Sequence, residues 1–308
     1  GCPLKAQVEK EVTEAITVLP GVTGVQVRMA ARVRRSLDDT GDLIPEVANV
    51  VAVGSGKGGV GKSTVSVNLA LAFARAGAAV GLLDADLYGP NDPQLLGFKG
   101  RPDVDDGKIV PASVEGLRLM SMAFFLKDDE PVIWRGPMLH GAIRQFLGDV
   151  RWGKLDYLFV DLPPGTGDVQ LTLSQIIPLT GAVLVTTPQD VALSDVRKAA
   201  AMFRKVRVPI LGVVENMSYF ECPHCGERTE IFSHGGGERF AAAIEAAHLG
   251  SVPLDIRVRQ GGDEGRPPVV HDPNSVPALA FRAIAEKLAA TISVNTWRGH
   301  EHEMATGR

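Results

Sequence analysis

The stretch "GSGKGGVGKST", residues 54–64, decides the fold of this 308-residue chain. It satisfies the pattern G-x-x-x-x-G-K-[ST] and follows the apolar run "NVVAVG", residues 49–54. Glycines let backbone N–H groups turn inward around phosphate oxygens, and a helix that begins here directs the positive end of its dipole at them. The motif therefore predicts a nucleotide site, in which Lys62 reaches the β- and γ-phosphates and the Ser63 hydroxyl binds Mg²⁺.

Short apolar runs alternate with helical patterns along the rest of the chain. The further runs are "AAVGLLDAD" (78–86), "LDYLFVDLP" (155–163), "GAVLVTTP" (181–188) and "VPILGVVEN" (208–216). The predicted crossover helices are 62–76, 137–148, 168–177, 190–206 and 236–247. Runs that are apolar on both faces are typical of a parallel sheet covered by helices on both sides. We therefore predict an α/β fold of the P-loop NTPase type with a mostly parallel sheet.

The ends of the chain have a different character. Residues 4–19 have helical apolar spacing, and alternation around Val25, Val27 and Met29 predicts a strand. This piece is too short to own a core and is interpreted as the remnant of a small α+β domain. The predicted organisation is a partial N-terminal domain at 1–36, a linker at 37–48, the nucleotide-binding domain at 49–294 and a disordered tail at 295–308.

Composition restricts the partners and the compartment. The net charge is −4 and the chain has no long Lys/Arg run, so neither a nucleic-acid nor a membrane partner is expected. No apolar segment approaches transmembrane length, and no signal peptide is visible. Three cysteines do not make a disulfide framework. We expect a cytoplasmic protein.

Carboxylates follow two of the predicted strands. An acid at the carboxyl end of a parallel strand beside the loop, here Asp161, can hold Mg²⁺ through water. Asp84 and Asp86 end another strand two residues apart, and so point to the same side of an extended chain. The alternative for each is a helix N-cap or a turn residue.

These residues carry a family resemblance. With its additional Lys57, "GKGGVGKST" resembles the deviant Walker A motif of the MinD/ParA/nitrogenase iron protein group of dimeric ATPases. More narrowly, residues 49–270 are similar to the Mrp/ApbC-type iron–sulfur cluster carriers in the segments "DADLYGPNDPQLLG", "DLPPGTGDVQLTLSQ", "VTTPQDVALSDVRKA", "GVVENMSYFECPHCGE" and "VPLDIRVRQGGDEGRP". The first residues, with "CPL" and "LPGVTGV", resemble the end of a MIP18-like domain.

The resemblance implies roles at matching positions. Lys57 would reach the nucleotide of the opposite subunit in an ATP-bound homodimer, and Asp86 would orient the attacking water. Asp161 and Gly165 would begin the segment that senses the γ-phosphate. The nucleotide would be held by Gly56, Gly58, Gly59, Val60, Gly61, Lys62, Ser63 and Thr64, with Asn216, Pro253 and Asp255 at the adenine. No residue resembles an efficient base, so hydrolysis is expected to be slow.

Cys222 and Cys225 form a C-x-x-C pair that lacks the four ligands a metal or cluster site normally has. Three other interpretations remain open: a redox disulfide, a zinc site with His234 as a third ligand, and plain buried cysteines. His224 lies between the two thiols and is badly placed to bind the same metal. In a two-fold dimer the pair meets its own copy, and four thiolates fit a 4Fe-4S cluster or tetrahedral zinc. The resemblance favours the cluster. Cys2 is left out of the site.

The motifs and the resemblance together imply a Mg²⁺-dependent ATPase whose homodimer holds a 4Fe-4S cluster and transfers it to apoproteins, with cluster-assembly scaffolds as further partners. Two alternatives stay open: a positioning ATPase of the MinD/ParA type, and a nucleotide-switched module with zinc at its interface. The terminal "TWRGHEHEMATGR" has no apolar stripe, which weighs against a membrane-bound positioning ATPase.

Overall fold

A computed structural model describes residues 5–27, 43–125 and 136–306. Within them the helices are α1 Lys5–Thr17, α2 Lys62–Arg75, α3 Asp92–Leu95, α4 Gly136–Gly148, α5 Asp168–Ile176, α6 Asp190–Lys205, α7 Gly236–Ala243, α8 Ile256–Glu264, α9 Pro268–His271 and α10 Val276–Thr306, with a 3₁₀ turn at Met122–Phe125. The strands are β1 Val47–Ser55, β2 Val80–Asp84, β3 Asp103–Asp105, β4 Lys108–Val110, β5 Ala112–Val114, β6 Leu117–Ser121, β7 Leu155–Asp161, β8 Gly181–Thr186, β9 Ile210–Glu215, β10 Phe220–Glu221, β11 Arg228–Thr229 and β12 His248–Ser251.

One large sheet organises the described chain. Its strand order is β12-β9-β8-β1-β7-β2-β6-β5, and every pairing is parallel except that of β5 with β6. Residues 50–53 of the central strand β1 are fully buried, as are their neighbours on β7 and β8. Strands without an exposed face need helices on both sides. The predicted fold class is confirmed.

The helices form a layer on each face of the sheet. Helices α2, α9 and α10 pack together on one face, whereas α4, α5, α6 and α7 contact one another in sequence on the other. From β1 the chain crosses by α2 to β2, and from β7 it crosses in the opposite direction by α5 to β8. This reversal makes the carboxyl ends of β1 and β7 a topological switch point, where ligands of open α/β sheets bind.

Three expectations for the outer segments are corrected. Residues 22–27 form no strand, because the described chain offers that apolar alternation no partner strand; Met29 lies outside the described residues. The linker's described part, 43–48, contains the buried Ile44 and the start of β1. The tail is helical to Thr306 rather than disordered, because α10 extends from a buried stem through residues with adequate helix propensity.

Among the described residues, no helix is both long enough and apolar enough to span a membrane.

Candidate functional site

The glycine-rich loop connects the end of β1 to the start of α2. Gly59 and Gly61 have φ of 80° and 79°, a left-handed conformation that glycine adopts without steric cost. Gly56 packs against α6: a Cβ there would lie 2.2 Å from the backbone C of Asp195 and the N of Val196. The loop is therefore fixed by backbone packing as well as by its own turns.

Lys62 is buried among carboxylates at the floor of a cleft, with 6% of its surface exposed. Its Nζ lies 2.6 Å from Asp161 Oδ2, 3.5 Å from Asp86 Oδ2 and 3.1 Å from Ser63 Oγ. Burial lowers the pKa of Lys62, but the charge and hydrogen bond of Asp161 outweigh that effect and the net pKa is raised. Lys62 is thus a cation held in place by Asp161.

Ser63 and Asp161 bring two side-chain oxygens together at the start of α2. The Ser63 hydroxyl donates to Asp161 Oδ2 over 2.6 Å. Burial raises the pKa of Asp161, while Lys62 and Ser63 oppose that shift. A hydroxyl beside a buried carboxylate is a donor set that suits a small, hard divalent cation such as Mg²⁺.

Asp86 makes the hydrogen bonds of a turn residue and also faces the lysine of the phosphate loop. Its Oδ1 accepts hydrogen bonds from the backbone N–H groups of Tyr88 and Gly89, at 3.1 and 3.3 Å, as a turn residue does. Its Oδ2 faces Lys62. Asp84 differs, because it is fully buried and accepts a 2.9 Å hydrogen bond from the Ser121 hydroxyl.

The cleft above Lys62 has a volume of about 620 Å³. Of the residues predicted for nucleotide binding, those that line it are Lys57, Gly58, Gly59, Gly61, Lys62, Ser63, Thr64, Asp86, Asn216, Pro253 and Asp255. Gly56, Val60, Asp161 and Gly165 are not among the lining residues. Gly165 N donates to Ser55 O over 3.0 Å. The cleft is large enough for a nucleotide.

Two residues predicted to contact adenine form hydrogen bonds with other residues of the chain. Asn216 Nδ2 donates to the backbone oxygen of Val60 over 2.9 Å, which ties the end of β9 to the phosphate loop. The Asp255 carboxylate caps α8 by accepting from Arg257 N at 2.8 Å and pairs with the Arg257 side chain. Sequence reasoning missed the link between Asn216 and the loop, since nothing in a local pattern reports a contact between residues 156 positions apart.

The cysteine pair lies on a small knuckle between β10 and β11. Cys222 N donates to Glu227 O at 3.0 Å, and Gly226 N donates to Cys222 O at 2.9 Å. Gly226 has a φ of 72°. The backbone N–H groups of His224 and Cys225 donate to the Cys222 thiol and lower its pKa. Cys225 is exposed and Cys222 is half-buried, which excludes the hypothesis of two plain core cysteines.

Among the residues that the structure describes, no further ligand lies close to this pair. His234 is exposed, with its Nδ1 3.4 Å from Glu230 Oε1. Within the described ranges, the one group of three or more His, Cys, Asp or Glu side chains close enough to share an ion is Asp84, Asp92 and Asp161. The described part of each chain therefore offers two thiols and no third ligand beside them.

The parallel sheet, its switch point and the glycine loop define a P-loop nucleotide-binding protein. The family model described as "ParA: NUBPL iron-transfer P-loop NTPase" matches residues 46–289. The chain therefore belongs to this family of P-loop NTPases.

Comparison with individual proteins agrees with this assignment. The iron–sulfur cluster carrier protein of Deinococcus radiodurans is 53% identical over 96% of this chain and 83% of its own length. A nucleotide-binding protein from Archaeoglobus fulgidus, solved with ADP, is 41% identical with a TM-score of 0.68, covering 77% of this chain and 93% of the other. The cell division ATPase MinD of Pyrococcus furiosus shares the fold at 25% identity and a TM-score of 0.60, over 79% and 98% of the two chains.

Proposed function

We propose that this chain is an ATP-binding and slowly ATP-hydrolysing carrier of a 4Fe-4S cluster. In this proposal a homodimer holds the cluster between its subunits and passes it to recipient apoproteins. The observation that carries it is the exposed knuckle, where two thiols lie together without a third ligand in the described chain. Membership of the iron-transfer family and similarity to a protein named as a cluster carrier support the choice of cargo.

The thiol chemistry of the knuckle suits a cluster. Cluster irons are ligated by thiolates, and hydrogen bonds to the sulfurs stabilise that charged form. Cys222 accepts two backbone N–H groups, so its pKa is lowered before any metal arrives. The half-site is completed when two-fold symmetry brings the knuckle against its own copy.

The nucleotide site supports ATP as the substrate of the same protein. Lys62 and the N–H groups of the loop would hold the phosphates, while Ser63 and Asp161 would hold the Mg²⁺ that neutralises phosphate charge. Lys57 lines the cleft, and no acidic side chain of the described chain forms an ion pair with its ammonium. It would contact the nucleotide of the opposite subunit.

Slow hydrolysis follows from the position of the acids. Asp86 is the candidate that orients the attacking water, but its carboxylate is engaged by two backbone N–H groups and by Lys62. Because its Oδ1 is occupied by those two N–H groups, the Asp86 carboxylate is better placed to orient a water molecule than to take a proton from it. Nucleotide binding would draw Lys62 towards the phosphates and release Asp86 and Asp161, which links the nucleotide state to the loops they belong to.

Anaerobic reconstitution with iron and sulfide tests the cargo. The wild type should take up iron and sulfide with the absorption of a 4Fe-4S cluster, and the double variant Cys222→Ala, Cys225→Ala should retain background iron alone. Cys2→Ala is the matched control, because it removes the one remaining cysteine and should leave uptake unchanged. Equal uptake by wild type and double variant, or zinc without sulfide in the wild type, would reject the proposal.

A further inference from the structure

Below the floor of the cleft lies a group of three buried acids, of which the proposed function uses only Asp161. Asp84, Asp92 and Asp161 each have 0% of their surface exposed. One carboxylate oxygen from each lies within 4.8 Å of those of the others. The residues come from the end of β2, the start of α3 and the end of β7, so the sheet topology brings them together.

The carboxylates differ in how they are satisfied. Asp84 accepts from three donors: Ser121 Oγ at 2.9 Å and the backbone N–H groups of Asp86 and Asp92 at 3.2 Å. Both oxygens of Asp92 are buried without any hydrogen-bond partner in the described structure, and so is Asp161 Oδ1. Buried carboxylate oxygens of this kind need a proton or a cation as a partner.

The charge balance is also unfavourable without a further cation. Lys62 is the ammonium that faces this group, and it is already engaged by Asp161 and Asp86. Burial, reinforced by the charge of Asp161, raises the pKa of Asp84 to about 7. Burial and the neighbouring Asp84 raise the pKa of Asp92. Ionising these acids is therefore costly unless positive charge is added next to them.

From this arrangement we propose that Asp84, Asp92 and Asp161 form a binding site for a hard divalent cation, Mg²⁺ or Mn²⁺, which is occupied without nucleotide. It shares Asp161 with the cation site at Ser63 but differs from that site in its other ligands, because Asp84 and Asp92 take no part there. Oxygen ligands lie about 2.1 Å from such an ion, so two on opposite sides are about 4.2 Å apart. The carboxylate oxygens lie within 4.8 Å of one another, so small side-chain shifts would bring them to that spacing. The ion would fix α3 to the ends of β2 and β7.

Manganese binding to the nucleotide-free protein tests this site, with Mn²⁺ as the probe in equilibrium dialysis and electron paramagnetic resonance. The wild type should retain one Mn²⁺ per chain, and Asp92→Asn should weaken binding at least about tenfold, as expected for a lost ligand. Asp103→Asn removes an exposed acid remote from the group and should bind like the wild type.

Ser63→Ala separates the two cation sites. It should keep the nucleotide-free Mn²⁺, because the Ser63 hydroxyl is not one of the proposed ligands. Loss of the ion in Ser63→Ala with retention in Asp92→Asn would assign it to the phosphate loop and overturn the proposal. Failure of the wild type to retain Mn²⁺ would overturn it regardless of how the variants fold, and would leave the cluster-carrier proposal untouched.

Discussion

Gly56 offers the most direct test of how the phosphate loop is held. The perturbation is Gly56→Ala, which adds a single methyl group. That Cβ would lie 2.2 Å from the backbone C of Asp195 and the N of Val196, whereas ordinary van der Waals contact begins at 3.4 Å. Because both neighbours are helix backbone and not a flexible side chain, the loop and α6 must separate by about 1 Å.

The expected magnitude follows from this displacement. Overpacking of a rigid region costs about 1–3 kcal/mol, which corresponds to a fall in melting temperature of about 4–8 °C at the middle of that range. A misplacement of about 1 Å in a binding loop can reduce function by about 100-fold. We therefore expect Gly56→Ala to lose stability moderately and ATP affinity severely.

Thermal unfolding and the binding of a fluorescent ATP analogue measure the two effects. Gly141→Ala is the matched control, since this glycine lies in α4 with no atom within 4 Å of an added Cβ. It should match or slightly exceed the wild type in stability. Gly58 is also uncrowded, so Gly58→Ala should unfold like the wild type. A Gly56→Ala variant that unfolds and binds nucleotide like Gly141→Ala would refute the packing argument.

Three further predictions follow from individual contacts. Lys62→Met should abolish ATP hydrolysis and, in urea unfolding, lower stability by about 3–5 kcal/mol at pH 8, because it leaves Asp161 buried and unpaired. The loss should shrink at pH 5, since the raised pKa of Asp161 lets it take up a proton; an equal loss at both pH values would contradict this. In Cys225→Ser, the rate of Cys222 alkylation can be followed against pH by peptide mass spectrometry. The apparent pKa of the Cys222 thiol should be lower in the folded than in the urea-unfolded chain, and coincident pH profiles of alkylation in the two states would exclude the backbone N–H effect. Asn216→Asp replaces the donor to the phosphate loop with an acceptor and should cost about 1–3 kcal/mol in unfolding experiments; no change would show that the hydrogen bond is dispensable.

The main features of the sheet and the loop were accessible from local patterns. Apolar runs such as residues 155–163 locate buried strands, and the glycine spacing of residues 54–64 specifies a backbone shape that few other functions require. Because parallel strands end at a common edge, the same patterns predict that Asp161 and Lys62 lie close together. The structure brings them to 2.6 Å.

Other features depend on packing that no local pattern encodes. Asp92 begins a four-residue helix, and only the three-dimensional arrangement shows that both of its carboxylate oxygens are buried without partners. Asn216 reaches the phosphate loop from a distant strand. The helix at 295–306 was missed because its sequence lacks an apolar stripe, whereas α10 continues there from a stem whose Phe281 and Leu288 are buried.

In the proposed dimer, one cluster joins two chains through Cys222 and Cys225 of each. Native mass spectrometry of the reconstituted protein, with iron and sulfide determined on the same sample, measures this directly. We expect a dimer carrying four irons and four sulfides, and a monomer without cluster for the double variant Cys222→Ala, Cys225→Ala. A monomeric chain that retains a complete 4Fe-4S cluster would contradict it.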